Sequence, residues 1–184
     1  MSRESFEDVS EPWRDSLRFA ERVVLRFPRL IDTALRFLVR LPAEGQLRRR
    51  LLLPLARRML RLAGRPSGLR VMQAVCEPDV EFNFFGFATA TGIQERYVGP
   101  NGLQAFTEEW TSQMDWPAFA PTRVVDFGDK FLLEATFMSR GRTSGAGLSR
   151  PMGYVIHLSE RGRVARVDAF WERYEALEAV GLRE

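Results

Sequence analysis

Chemistry near neutral pH needs groups that exchange protons, attack electrophiles or hold metals, and this sequence has few of them. It contains one histidine, His157, and one cysteine, Cys76. Histidine is the side chain whose unperturbed pKa suits proton transfer near neutrality, so His157 is a candidate general base. It falls in "GYVIHLSE", which reads as a strand, and shares a face with Val155. Asp168, in the strand-like "VARVDAFWE", is the second candidate. Alternation there puts Ala165, Val167, Ala169 and Trp171 on one face and Arg166, Asp168 and Phe170 on the other. The apolar face is the natural inward one. Asp168 is then expected on the outer or dimer-facing side, paired with an arginine. Cys76 sits in an apolar, helix-like run and is expected to be a small buried hydrophobe. One histidine and one cysteine cannot form a zinc site without carboxylates, and no ligand spacing is visible, so neither a metal nor a cofactor is expected.

A glycine-rich basic stretch, "SRGRTSGAGLSR" from Ser139 to Arg150, raises the question of phosphate binding. No lysine follows its glycines as a Walker loop requires. Gly141, Gly145 and Gly147 do not fit the dinucleotide spacing, and a strand rather than a helix follows. The stretch is expected to be a hairpin connection. Arg140 and Arg142 either draw an acidic ligand there or are simply solvated.

Aromatic residues are the other resource. Phe82 and Phe84 share a strand face, Tyr97 starts the "YVGPNG" turn, and Trp110 and Trp116 flank Asp115. With Phe137, Tyr154 and Trp171 they are candidates to line an apolar ligand pocket. The competing reading is that they close the core between helix and sheet.

The elements that must position these groups fall into two parts. At 184 residues, 45% hydrophobic and 11% aromatic, the chain can bury a sizeable core. Its net charge of +3 is uneven: residues 1–66 hold 15 arginines and 8 acids, and the remainder is net negative. A helix is predicted from Glu11 to Arg40, with Pro28 bending or breaking it. A second, "QLRRRLLLPLARRMLRLAG", is expected to kink at Pro54 and to stop at Gly64 and Pro66. Such basic helices could lie on an anionic membrane surface, bind an acidic partner, or pack their leucines and solvate their arginines. Nucleic acid is not expected, because no aromatics interleave with the arginines. Charges interrupt every apolar run well short of ~18 residues, so no membrane span or signal peptide is expected. The lone cysteine suits the cytoplasm.

Further along, a short helix ends before Pro78 and leads into the strand "VEFNFF". An irregular link spans Phe87 to Arg96, and a helix follows with Asn101 as N-cap. The strands "TRVVDFG", "KFLLEATFMSR", "PMGYVIHLSE" and "VARVDAFWE" come next, then a short helix, "EALEAVGL". This order predicts an α+β domain with consecutive antiparallel strands.

That order, with "EPDVEF" (77–82), "YVGPNGLQAF" (97–106), "VVDFGDKFLL" (124–133), "SRGRTSG" (139–145) and "RGRVARVDAFWERYEALEAVGL" (161–182), resembles the SnoaL-like members of the nuclear transport factor 2-like superfamily. The resemblance implies a cone, a strongly curved antiparallel sheet wrapped around helices, over residues 47–184. Residues 1–46 are expected to form an N-terminal helical extension. It also implies a pocket inside the cone and a homodimer joined through the sheets. Relatives include polyketide cyclases, steroid isomerases, epoxide hydrolases and proteins without catalysis, so fold alone does not set function. With no clear inward acid, the expectation is a small apolar or amphipathic molecule bound in an aromatic pocket. One alternative is an isomerase, cyclase or hydrolase using His157 or Asp168 as general base. Another is a protein that docks on a membrane surface or partner through its basic helices.

Overall fold

The computed structural model describes residues 19–182 apart from residue 44. Helices α1 (Phe19–Arg26), α2 (Pro28–Arg40), α3 (Gln46–Ala63) and α4 (Pro66–Val75) precede strand β1 (Cys76–Phe85). A short helix α5 (Phe87–Thr91), strand β2 (Arg96–Val98) and helix α6 (Gly99–Gln113) follow. Strands β3 (Ala118–Asp126), β4 (Lys130–Arg140), β5 (Gly147–Leu158) and β6 (Val164–Phe170) lead to helix α7 (Arg173–Ala179).

Proline and glycine explain most of the boundaries. Pro28 does break the first predicted helix: Phe27 is non-helical and Pro28 opens α2. The part of that prediction before residue 19 lies outside the described residues. Gly64 ends α3, and Pro66, read from sequence only as a stop, opens α4, where its missing N–H costs nothing. Pro54 remains inside α3, on its exposed side.

Four local expectations need correction. The α4 helix ends at Val75, so Cys76 begins β1 rather than sitting in a helix. Pro78 occupies the stretch of β1 where pairing with β6 is interrupted, between Cys76 and Glu81, and a residue without an N–H fits there. The "irregular" link contains α5 and reaches β2. The N-cap of α6 is Val98 rather than Asn101, because Pro100 already sits in the first turn. Cys76 is nonetheless buried, and desolvation pushes its thiol up to about 12, so it behaves as a small hydrophobe.

The six strands form one sheet in the order β2-β1-β6-β5-β4-β3. All neighbours are antiparallel except β1 and β6, which run parallel. The stretch Ser139–Arg150 contains the β4–β5 hairpin connection, as expected: residues 141–146 link the two strand ends, closed by Gly141 N–H donating to Ala146 O at 2.9 Å.

Each face of the sheet carries its own apolar cluster. The inner one joins Phe82, Phe84, Phe137, Tyr154 and Ala169 to Ala56 and Leu60 of α3 and Leu103 and Trp110 of α6. On the outer face Leu132, Val155 and Phe170 meet Ala176 and Leu177 of α7. Gly153 makes that contact possible, since a Cβ there would lie 2.2 Å from the Ala176 Cβ.

Arginines tie the N-terminal helices to the sheet. Arg48 is 2% exposed and forks onto Asp126 at the end of β3, Nε to Oδ2 at 2.8 Å and Nη2 to Oδ1 at 3.1 Å. It also donates to Val39 O and Leu41 O at the end of α2, and to Gly128 O in the β3–β4 turn. Arg163 bonds Asp32 of α2 at 2.8 Å and Cys76 O at 2.9 Å. The β5–β6 turn approaches α2 so closely that a Cβ on Gly162 would sit 2.5 Å from Leu35 O. Thus α2 and α3 pack against one end of the sheet.

Candidate functional site

The inner face is a continuous aromatic assembly. Phe82 and Phe84 point the same way because strand side chains alternate. Phe84 stacks on Phe106 of α6 at 3.8 Å and meets Phe87 and Tyr97 edge-on at 5.2 and 5.8 Å. Trp110 meets Phe137 at 5.2 Å, Phe137 meets Phe119 at 5.5 Å, and Phe119 meets Tyr154 at 6.0 Å. Trp171 is half-buried against this cluster, with Phe87 at 5.0 Å and the Arg150 guanidinium 4.4 Å over its ring. The structure therefore brings together Phe82, Phe84, Tyr97, Trp110, Phe137, Tyr154 and Trp171. Trp116 is half-buried and stands outside the cluster.

Two phenols give this apolar assembly its hydroxyl groups. Tyr97 donates from its hydroxyl to the Glu109 carboxylate, whose other oxygen accepts from Gln94 N–H at 3.3 Å. Burial raises the Tyr97 pKa, and Glu109 raises it further. Tyr154 is different. Its buried hydroxyl has the Met152 sulfur at 3.8 Å as its acceptor, and thioethers are weak acceptors. Desolvation drives its pKa far above the usual phenol value. Both phenols stay neutral donors at pH 7.

Sequence reading missed Phe106 and Glu109. Phe106, Glu109 and Trp110 lie at i, i+3 and i+4 of α6, which places them on one helix face, so the signal was present. Phe87 and Phe119 were missed because each sits at the start of an element whose boundary was misplaced.

His157 and Asp168 are brought together on the outer face, away from the aromatic assembly. In the ladder His157 stands between Lys130 and Arg166, and Asp168 between Val155 and Asn83. His157 Nε2 is 3.1 Å from Asp168 Oδ2 and 2.9 Å from Arg166 Nη2. A guanidinium only donates, so the arginine contact needs a lone pair on Nε2, whereas the aspartate contact needs a proton there. The two contacts are alternatives selected by the proton. Burial holds the His157 pKa below its ordinary value, Arg166 lowers it further, and Asp168 opposes both. Asp168 also takes Arg166 Nε at 3.0 Å and the Asn83 amide at 2.7 Å. Among the described residues no group of three or more His, Cys, Asp or Glu could hold a metal ion.

No family model matches this sequence, and no curated protein matches it. Solved structures do share its fold. One is a nuclear transport factor 2-like protein of unknown function from Burkholderia pseudomallei, with TM-score 0.56 and 16% identity, covering 67% of this chain and 93% of that one. TerC, co-crystallized with polyporic acid, has TM-score 0.55 and 16% identity, over 67% and 95% of the two chains. A protein from Catenulispora acidiphila with a ketosteroid isomerase-like fold, in complex with trimethylamine, has TM-score 0.53 and 11% identity, over 68% and 91%. The α+β cone of the nuclear transport factor 2-like superfamily is thus the fold of this chain. SnoaL-like proteins are among the structures that share it.

Proposed function

We propose that the inner face of the sheet binds a small apolar or amphipathic molecule carrying a hydrogen-bond acceptor, and that this acceptor takes the Tyr154 hydroxyl. The carrying observation is that hydroxyl, buried with only the Met152 sulfur as acceptor. A polar group removed from water without a good partner costs free energy that a better acceptor recovers. The surrounding rings supply the apolar walls such sites use. Polyporic acid, with which TerC was co-crystallized, is a suitable first probe, followed by a panel of aromatic carbonyl compounds. Calorimetric titration of Tyr154→Phe is expected to show affinity about three- to tenfold below that of the parent, with the fold unharmed. Absence of binding across the panel, or equal binding by Tyr154→Phe, overturns the reading.

A homodimer formed through the outer face of the sheet belongs to the same proposal. Phe85 is 41% exposed there and stacks on Phe170 at 4.9 Å, so its ring offers apolar surface to a second copy. A cytoplasmic location completes it, supported by the free thiol of Cys76.

The 3.1 Å approach of His157 to Asp168 favours a second reading, an isomerase, cyclase or hydrolase with one of them as base. Its weakness is position. The pair lies on the face opposite the aromatic assembly, and Arg166 and Asn83 already occupy the Asp168 carboxylate. Turnover of an epoxide, polyketide-type or steroid-like substrate that His157→Ala abolishes would establish it.

A further inference from the structure

Helices α1 and α3 flank an open groove of about 370 Å³, lined by Arg57, Arg58, Arg61 and Arg65 against one carboxylate, Glu21. Glu21 is itself buried and takes Arg58 at 3.1 Å. Arg57 and Arg61 are exposed. Residues 19–63 as a whole hold eleven arginines and three acids.

The solvent face of α3 is also apolar where a helix of this kind is ordinarily polar. Leu47, Leu51 and Leu55, each one turn from the next, are 54, 43 and 38% exposed, and the exposed Pro54 lies among them and borders the groove. At 100° per residue, Arg50, Arg57 and Arg61 flank this leucine row along one side. Across the groove, Leu25 of α1 is 36% exposed and Phe27, just beyond it, 54%. Basic groups and bare hydrocarbon therefore share one surface.

We propose that this α1–α3 surface docks on an anionic lipid bilayer. Arg57 and Arg61 take the headgroup phosphates at the groove, and Leu51 and Leu55 press into the acyl boundary. A guanidinium fork matches phosphate oxygens, and long arginine stems let the charge sit above buried leucines. A bilayer with anionic headgroups presents negative charge and hydrocarbon in successive layers, the order in which this surface carries arginine and leucine. Docking is peripheral: no helix among the described residues is long and apolar enough to cross a membrane. The proposal uses other residues than the inner-face ligand site and stands or falls separately.

The test is sedimentation of the full-length protein with phosphatidylcholine vesicles, with and without phosphatidylserine, at low and high salt. Binding is expected only with phosphatidylserine and is expected to weaken with salt. Arg57→Gln/Arg61→Gln should lower partitioning by about fivefold for each arginine lost. Leu51→Ser/Leu55→Ser should lower it about tenfold. All four side chains are exposed, so circular dichroism should be unchanged. No binding, equal binding to neutral vesicles, or full binding by either double variant overturns the proposal. Full binding by the leucine variant would instead mark an arginine site for a soluble phosphate or an acidic protein.

Discussion

The two faces of the sheet are made from the same strands and each carries an apolar cluster, but they differ in where their charged groups stand. Inward, Phe82, Phe84, Phe137, Tyr154 and Ala169 build an apolar surface into which Tyr154 brings a hydroxyl. Outward, the same strands present Asp168, His157, Arg166, Lys130 and Glu134, the last held by Arg173 at 3.2 Å. Charges on the outer face can keep water or meet one another. On the inner side the half-buried Glu109 carboxylate is met by the Tyr97 hydroxyl and Gln94 N–H, whereas a charge there without such partners would cost several kcal/mol. The one histidine, with Asp168 beside it, thus lies on the side opposite the aromatic assembly, which is why a binding role fits the inner face better than proton chemistry.

Three substitutions press on this contrast. Phe84→Ala removes a ring that touches Phe87, Tyr97 and Phe106, and urea unfolding should show a loss of about 3–5 kcal/mol. Gly153→Val puts a side chain where a Cβ already meets Ala176. It should cost about 1–3 kcal/mol by pushing α7 off the outer face. If the outer change proved the more damaging, the inner assembly would not be the main core. The smallest effect concerns pH. Because burial and Arg166 lower the His157 pKa, the folded protein binds this proton less readily than the unfolded chain, whose histidine titrates near about 6.5. Neutral His157 contributes stability that is present above that value and is lost as pH falls from it through the lower folded value. His157→Gln should flatten that part of the stability–pH curve. A curve unchanged by the substitution would mean that the outer cluster is solvated rather than coupled.

A similar contrast separates the arginines. In the sequence Arg48 stands in the run Arg48–Arg50 and looks like any other solvated charge. Yet it is buried across α2, α3 and the β3–β4 turn, while Arg50 nearby is exposed. Its main partner, Asp126, is 78 residues away, and no local pattern encodes that pairing. Arg163 and Asp32, 131 residues apart, repeat the case. The helix of Arg48 was legible; which of its charges would be buried was not.

Strand alternation by itself determined much about this protein. It put Val167 and Ala169 on one side of β6 and Asp168 on the other, beside an arginine, and glycine and proline marked where most helices stop or restart. The order of elements was enough to suggest the cone. Those signals are local, set by side-chain direction and backbone sterics within a few residues. Tertiary structure alone decided that β1 lies parallel to β6, that His157 reaches Asp168 and Arg166 across two strands, and that Tyr154 is left with a sulfur for an acceptor. Each depends on which distant segments come to share a ladder or a cavity. That choice follows from burying the whole chain's apolar surface at once, and no single stretch carries it.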